Sequence, residues 1–245
     1  MIASPNWIIV GTGDAIEETD CVQFRLLYSG ELLGASRSDT RASLKHEIRL
    51  EIHPQLERLW ATNSSLVEMA KFRAQSWKES HPGVAGKEPP PNLTEEQSES
   101  WLNEELARLG REWIAKKWER CGRGYIPLIT EEMCLRCSLD ILFLRPEDPG
   151  MIIKSGDLDN RMKMLFDALR IPANLAEAGG ESGKEGDGAI YCLLEDDRLI
   201  SEVRIVTDHL LLLPHTKEFH PNDVFLVIEV KLNPTPRSLY KFWMA

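Results

Sequence analysis

A change of hydrophobic period within one short stretch constrains this chain more than any other feature. From Cys134 to Leu144 (CLRCSLDILFL), Leu135, Cys137, Leu139, Ile141 and Phe143 alternate with Arg136, Ser138 and Asp140, the two-residue period of a half-buried strand. A Pro- and Gly-containing turn, RPEDPG, follows, and then GDLDNRMKMLFDALR places Met162, Leu165, Phe166 and Leu169 on one helical face. A strand covered on one face, a turn and an amphipathic helix in immediate succession call for a sheet with helices packed against it.

The rest of the chain reads in the same terms. Residues 7–10 and 21–28 read as strands, and Arg41 to Trp60 shows helical spacing through Leu44, Ile48, Ile52, Leu56 and Leu59, with Pro54 expected to break or kink the helix. Residues 79–93 (ESHPGVAGKEPPPNL) have the composition of a linker or mobile loop. Thr94, with Glu96 and Gln97 after it, marks a helix start. Trp101, Leu102, Leu106, Leu109, Trp113 and Trp118 then form a stripe on a helix ending near Gly122, and the tryptophans are expected in the core.

Residues 172–189 (PANLAEAGGESGKEGDGA) hold too few apolar side chains to offset the entropy of ordering and read as a flexible excursion. Ile200 to Val206 and Val224 to Leu232 read as closing strands, joined by LLLLP and a His-containing connection. The expected fold is α/β (α+β), a small mixed, mostly antiparallel sheet flanked by helices with the acids gathered at one end. It forms a single unit over 1–245, with a helical elaboration at about 41–125 and a motif-bearing core at about 134–232.

Composition sets bounds on function. No apolar run approaches the roughly 20 residues a membrane span needs, and the start, MIASPNWIIVGTGD, lacks the basic region of a secretory signal. Five cysteines, an odd count, suit a reducing compartment. A cytoplasmic protein is therefore expected. The net charge of −10 argues against a phosphate-backbone partner, unless cations bound at a carboxylate-rich site offset it locally. Basic residues do cluster, in Arg37-Arg41-Lys45-Arg49 and in Lys116-Lys117-Arg120-Arg123. Arg41, Lys45, Arg49 and Arg161 are candidate DNA contacts, set against the simpler reading of a solvated helix face.

Chemistry gathers around the second half. Hard divalent cations take oxygen ligands, usually one or two carboxylates completed by water and substrate phosphate. Asp157 and Asp159 stand at a loop-to-helix junction, and Asp159 at or near the N-cap would share a face with Lys163 and Asp167 at four-residue spacing. A lysine there could neutralise a scissile phosphate oxygen or orient the attacking water. Farther on, Leu193-Leu194-Glu195-Asp196-Asp197 delivers a second source of carboxylates. Taken singly, these are caps, solvated turns and surface ion pairs.

Jointly, Asp157-Leu158-Asp159-Asn160, Lys163, Asp167-Ala168-Leu169 and then Leu194 with Asp196-Asp197 form a pattern that resembles the RusA family of Holliday-junction resolvases. The resemblance implies that Asp157, Asp159 and Asp197 bind Mg2+ (or Mn2+), with Asp196 a further metal candidate, and that Lys163 is required for catalysis. It also implies an endonuclease that cuts branched or structured DNA and works as a homodimer, one site per strand of a symmetric junction. It spans roughly 134–232 in a chain longer than most of the family, and the link between the helix and the Asp-Asp pair is longer too. Two alternatives belong to other classes: a RusA-like nucleic-acid-binding or regulatory protein without turnover, and a phosphohydrolase acting on small phosphates.

Three other signals weigh less. Val10-Gly11-Thr12-Gly13 lacks the third glycine of a dinucleotide loop. Cys134 and Cys137 sit in a strand pattern that points them to opposite faces, which suits core cysteines better than zinc. His46 and His53 lie seven apart on one side of a helix beside Lys45 and Arg49, a polar stripe or a DNA-facing one, and Asp140 is a second-tier ligand candidate.

Overall fold

The computed structural model describes residues 22–34, 38–81, 83, 86–146, 157–180, 182–184, 186–211 and 222–235, with backbone alone at 38–40 and 157. The expected strand at 7–10, the loop at 10–13, Arg37, most of the RPEDPG turn and the His-containing connection lie outside the described residues. In chain order the elements are β1 (Gln23–Glu31), α1 (Ser38–Thr62), α2 (Ser64–Ser80), α3 (Glu95–Lys117), β2 (Tyr125–Ile129), β3 (Leu135–Arg145), α4 (Asp157–Leu169), β4 (Ile190–Leu194), a 3-10 turn (Asp197–Leu199), β5 (Ile200–His209) and β6 (Asp223–Pro234). Among the described residues the fold is α+β, with four helices and a mostly antiparallel four-stranded sheet.

The sheet order is β1-β6-β3-β5, antiparallel at β1–β6 and β6–β3 and parallel at β3–β5. The alternation read in β3 is the alternation found: Cys137, Leu139, Ile141 and Phe143 are buried, and Val224, Leu226, Ile228, Val230 and Leu232 of β6 line the same inner face. One contiguous apolar cluster joins these strands to Leu44, Ile48, Ile52, Leu56 and Trp60 of α1 and to Met162, Leu165 and Leu169 of α4. Burying a leucine-sized side chain there contributes roughly 1.5–3 kcal/mol.

β2 and β4 form a separate two-stranded parallel sheet with every residue buried. β2 (YIPLI) carries Pro127, which has no N–H to donate, and a two-stranded sheet places it at an edge where none is required. The far edge of β4 meets α1, where His53 Nδ1 accepts the Tyr191 N–H at 3.1 Å and the two rings stack at 5.6 Å between centroids.

Several expectations change. Helix α1 runs through Pro54 without a break. Pro54 is exposed and Leu50, whose carbonyl loses its i+4 partner, is 43% exposed, so water can take the vacated bond. Helix α2 has no counterpart in the sequence reading; it begins at an Asn63 cap that accepts the Leu66 N–H at 3.2 Å. α2 packs against α3 where Gly110 meets Ala70, and a Cβ at Gly110 would fall 1.8 Å from the Ala70 carbonyl oxygen.

α3 starts as expected, with a capping box between Thr94 and Gln97, but it ends at Lys117 with Trp118 as its cap. Its buried face is Glu105, Ala107, Leu109, Gly110, Ile114 and Ala115. Trp101, Trp113 and Trp118 are half-buried instead of central, and Leu102 is exposed. Small residues let α2 and the β2 region approach closely, which leaves the indoles at the rim. There Arg73 and Lys117 lie over the Trp113 ring and Arg120 over Trp118. Cys134 precedes β3 in a left-handed turn (φ 54°) and is buried like Cys137, whose thiol burial pushes up to about 12.

Candidate functional site

α4 opens at Asp157, so Asp159 lies inside its first turn instead of at the N-cap. Lys163 follows one turn later, and both side chains are exposed. Among the described residues neither takes part in a hydrogen bond or ion pair, whereas Met162, Met164, Leu165, Ala168 and Leu169 are buried on the helix's other side. That division follows from the 3.6-residue period: with the apolar residues committed to the core, Asp159 and Lys163 project outward. The side chain of Asp157 lies outside the described residues.

The second acidic source is reached through β4. The five buried residues of that strand end at Leu194, and the chain turns at once into the 3-10 turn. Asp196 is its cap, accepting the Arg198 N–H at 3.0 Å, and Asp197 is its exposed first residue. The Glu195 carboxylate turns away to accept the Glu131 N–H at 2.8 Å. The turn touches both α4 and β3, so the two acidic segments occupy adjoining elements.

What binds α4 to its surroundings is a buried ionic cluster. Lys45 Nζ of α1 stands 2.8 Å from Asp167 Oδ2 and 2.8 Å from Glu177 Oε1. Arg170 Nη2 lies 3.0 Å from Asp167 Oδ1 and 3.3 Å from Glu177 Oε2. Arg49, 1% exposed, donates to the carbonyls of Asp167, Arg170 and Glu177 at 3.2, 3.1 and 2.8 Å. These include orphan carbonyls at the helix end, so a guanidinium from α1 caps α4. Burial pushes the Asp167 and Glu177 carboxyls up, but Lys45 and Arg170 outweigh it and hold both below the usual carboxylate range. The field of Asp197 is felt at Arg170, which ties the cluster to the 3-10 turn.

The cluster corrects two expectations. Residues 172–180 are ordered, because polar contacts do what apolar burial could not: Asn174 Oδ1 accepts the Glu177 N–H at 3.1 Å, and Glu177 Oε2 accepts the Ala173 N–H at 3.0 Å. Gly179, at φ +100°, lies so close to His46 that a Cβ would sit 2.7 Å from the imidazole. The candidate DNA contacts on α1 do not form a solvent-facing stripe either. Lys45 is committed to two carboxylates, Arg49 is buried, Arg41 is half-buried, and Arg161 of α4 is 3% exposed with Nη2 3.5 Å from Asn222 Oδ1.

In the other basic cluster Lys117 pairs with Glu132 and Arg123 with Asp187, while Lys116 and Arg120 are exposed. Asp140, the second-tier ligand candidate, pairs with Arg204 at 2.9 Å on the outer face of the sheet. Arg170 and Glu177 were not singled out from the sequence. The spacing Asn174-x-x-Glu177 is the signal that could have found the second of them, because it is a capping pattern inside an otherwise featureless stretch.

A divalent hard cation needs oxygen donors, and Asp159, Asp196 and Asp197 supply them from α4 and the adjoining turn. Among the described residues no three His, Cys, Asp or Glu side chains are grouped as metal ligands. Magnesium is commonly held by one or two carboxylates, with water and substrate phosphate completing its shell; Asp159 and Asp197 are both exposed, Asp159 on the first turn of α4 and Asp197 toward Arg170 at the helix's other end. The buried Cys137 and Cys192 thiols, both pushed up to about 12, do not suit zinc. A shallow concavity lined by Trp101, Glu104, Glu105, Arg108 and Arg111 is built from α3 alone and includes none of these acids. No family model, no curated protein and no solved structure matches the chain.

Proposed function

We propose that this chain is a magnesium-dependent endonuclease that hydrolyses phosphodiester bonds in branched or structured DNA, as its RusA-like motif implies. The observation that carries the reading is the exposure of Asp159 and Lys163 on consecutive turns of α4, a helix that touches the turn carrying Asp196 and Asp197. Among the described residues Asp159 and Lys163 have no partner, whereas Arg161 and Asp167 on the same helix do, so the first two are available for a ligand. In the proposed roles Asp159 and Asp197, with Asp157, hold the cation, and Asp196 shapes the turn that presents Asp197. A bound magnesium or manganese would supply a water nucleophile and stabilise the leaving oxygen. The Lys163 ammonium would neutralise charge on the scissile phosphate.

Lys45 and Arg49, offered earlier as DNA contacts, act in this reading as positioning residues, since they clamp α4 through Asp167 and the carbonyls at its end. Their commitment favours a second reading, turnover of small phosphates, because it takes two of the three described candidate cations of α1, Lys45 and Arg49, away from a long phosphate backbone and leaves Arg41. Labelled four-way junction, flap and duplex DNA and a panel of nucleotides and phosphomonoesters, each incubated with magnesium and then with EDTA, separate the two. Metal-dependent cutting of the branched DNA is the expected result. Turnover of the small phosphates alone would replace the nuclease reading with the second, and DNA binding without any turnover would replace it with a binding protein.

A further inference from the structure

The turn between β2 and β3 ties the acidic segment to the end of the α2–α3 pair. Its consecutive residues Glu131 and Glu132 reach different elements. Glu131 pairs with Arg198 of the 3-10 turn at 2.6 Å, and its N–H donates to the Glu195 carboxylate at 2.8 Å. Glu132 pairs with Arg73 of α2 at 3.1 Å and with Lys117 of α3. Asp196 and Asp197 therefore adjoin the rim of the helical pair across one short turn.

That rim is cationic in a chain whose net charge is −10. Arg73, Lys116, Lys117 and Arg120 stand there against the carboxylates of Glu119 and Glu132. Glu132 serves two of the cations at once, and Lys116 and Arg120, both exposed, form no ion pair among the described residues. The backbone of Arg120 is nevertheless fixed. Arg120 and Arg123 exchange two hydrogen bonds, at 2.9 and 3.0 Å, across a turn whose central residues Cys121 and Gly122 are both left-handed (φ 52° and 73°). The Arg120 guanidinium lies 5.8 Å from the centre of the Trp118 ring. Arg73 lies over Trp113 at 5.8 Å, and the Lys117 ammonium over the same ring at 5.2 Å.

Phosphate binding needs cations alone. An indole beneath a guanidinium adds something else, because aromatic rings and Arg planes are the surfaces on which unpaired bases stack, whatever their sequence. A duplex keeps its base faces covered, so a surface of this kind fits a single strand.

We infer that the rim formed by α2 and α3 binds the single-stranded part of the substrate DNA, with Lys116 and Lys117 on phosphates and Arg73 and Arg120, over their indoles, against unpaired bases. The inference rests on the nuclease reading for its ligand and deepens it: a branched substrate with an unpaired arm is preferred to a fully paired one.

The test measures binding in EDTA, where cutting does not enter, by the anisotropy of a labelled single strand of about 15 nucleotides and of the same strand in a duplex. Wild type should bind the single strand at least about tenfold more tightly. Lys116→Gln should lower the slope of log affinity against log salt by about 0.7, the contribution of one phosphate contact on a single strand. Arg120→Lys keeps the charge and gives up the plane, so it should weaken binding about fivefold or more with the slope unchanged. Circular dichroism and denaturation midpoints confirm that both variants are folded. Equal affinity for the two DNAs, single-strand binding by either variant indistinguishable from wild type, or no binding at all would overturn the inference. Magnesium-dependent cutting by a protein that fails these tests would leave the nuclease reading in place. Single-strand binding without any cutting would remove that reading and keep the rim as a binding surface.

Discussion

His46 and His53 look alike in the sequence, seven apart on one helix, yet the structure gives each a different burden. His53 must present a bare Nδ1 to the Tyr191 N–H, and burial, only partly opposed by Glu57, lowers its pKa. At His46 burial, with the charges of Arg49 and Arg123, lowers it too. Both residues fold as neutral rings, so an unfolded chain takes up protons near 6.5 that the folded chain refuses. Their contribution is therefore whole above that pH and is lost as pH falls below it. Urea midpoints should stay level above about pH 7 and decline toward about pH 5. The double variant His46→Gln/His53→Gln should flatten that decline, since glutamine accepts a hydrogen bond without titrating. Asp167 and Glu177, held low, lose their share only in a second step below about pH 4.

At the scale of elements, the joint between α1, α4 and residues 172–180 is the one most sensitive to a single change. Replacing Lys45 with Met leaves Asp167 and Glu177 with Arg170 as their remaining side-chain cation, and breaking a buried ionic cluster from one side costs about 3 kcal/mol. Chemical denaturation should show that loss with the m-value unchanged. Gly110→Ala should cost at least about 2 kcal/mol, because the methyl group would force α3 away from the Ala70 backbone. A stability within about 0.5 kcal/mol of wild type would show that α2 and α3 are not packed as described.

These joints also show where sequence reading stops. β3, β6, α4, α1 and the cap of α3 were legible because period and capping chemistry are local properties. α2 was missed: its buried residues are Leu66, Ala70 and Ala74, a stripe of small side chains that no hydrophobic count picks out. β2 was hidden by Pro127, and the order of residues 172–180 by an ionic cluster whose members are more than a hundred positions apart. In the site, the exposure of Asp159 and Lys163 follows from the apolar period of α4, so it could be read in advance. The burial of Arg49 and Arg161 could not, since it depends on which carbonyls and side chains tertiary packing brings to them.

At the scale of the molecule, the helices and the two-stranded sheet hold α4 in place, and the 3-10 turn that carries Asp197 leads directly into β5, the edge strand of the four-stranded sheet. A lesion at the acids should spare the fold. Asp197 is exposed and forms no ion pair among the described residues, so replacing it with Asn should cost little stability. That makes Asp197→Asn the most direct test of the central claim, assayed beside wild type on a four-way DNA junction with magnesium. Wild type should cut the junction, and the variant should be at least about a hundredfold slower with its denaturation midpoint unchanged; equal rates for the two proteins would contradict the assignment of Asp197 to a catalytic metal.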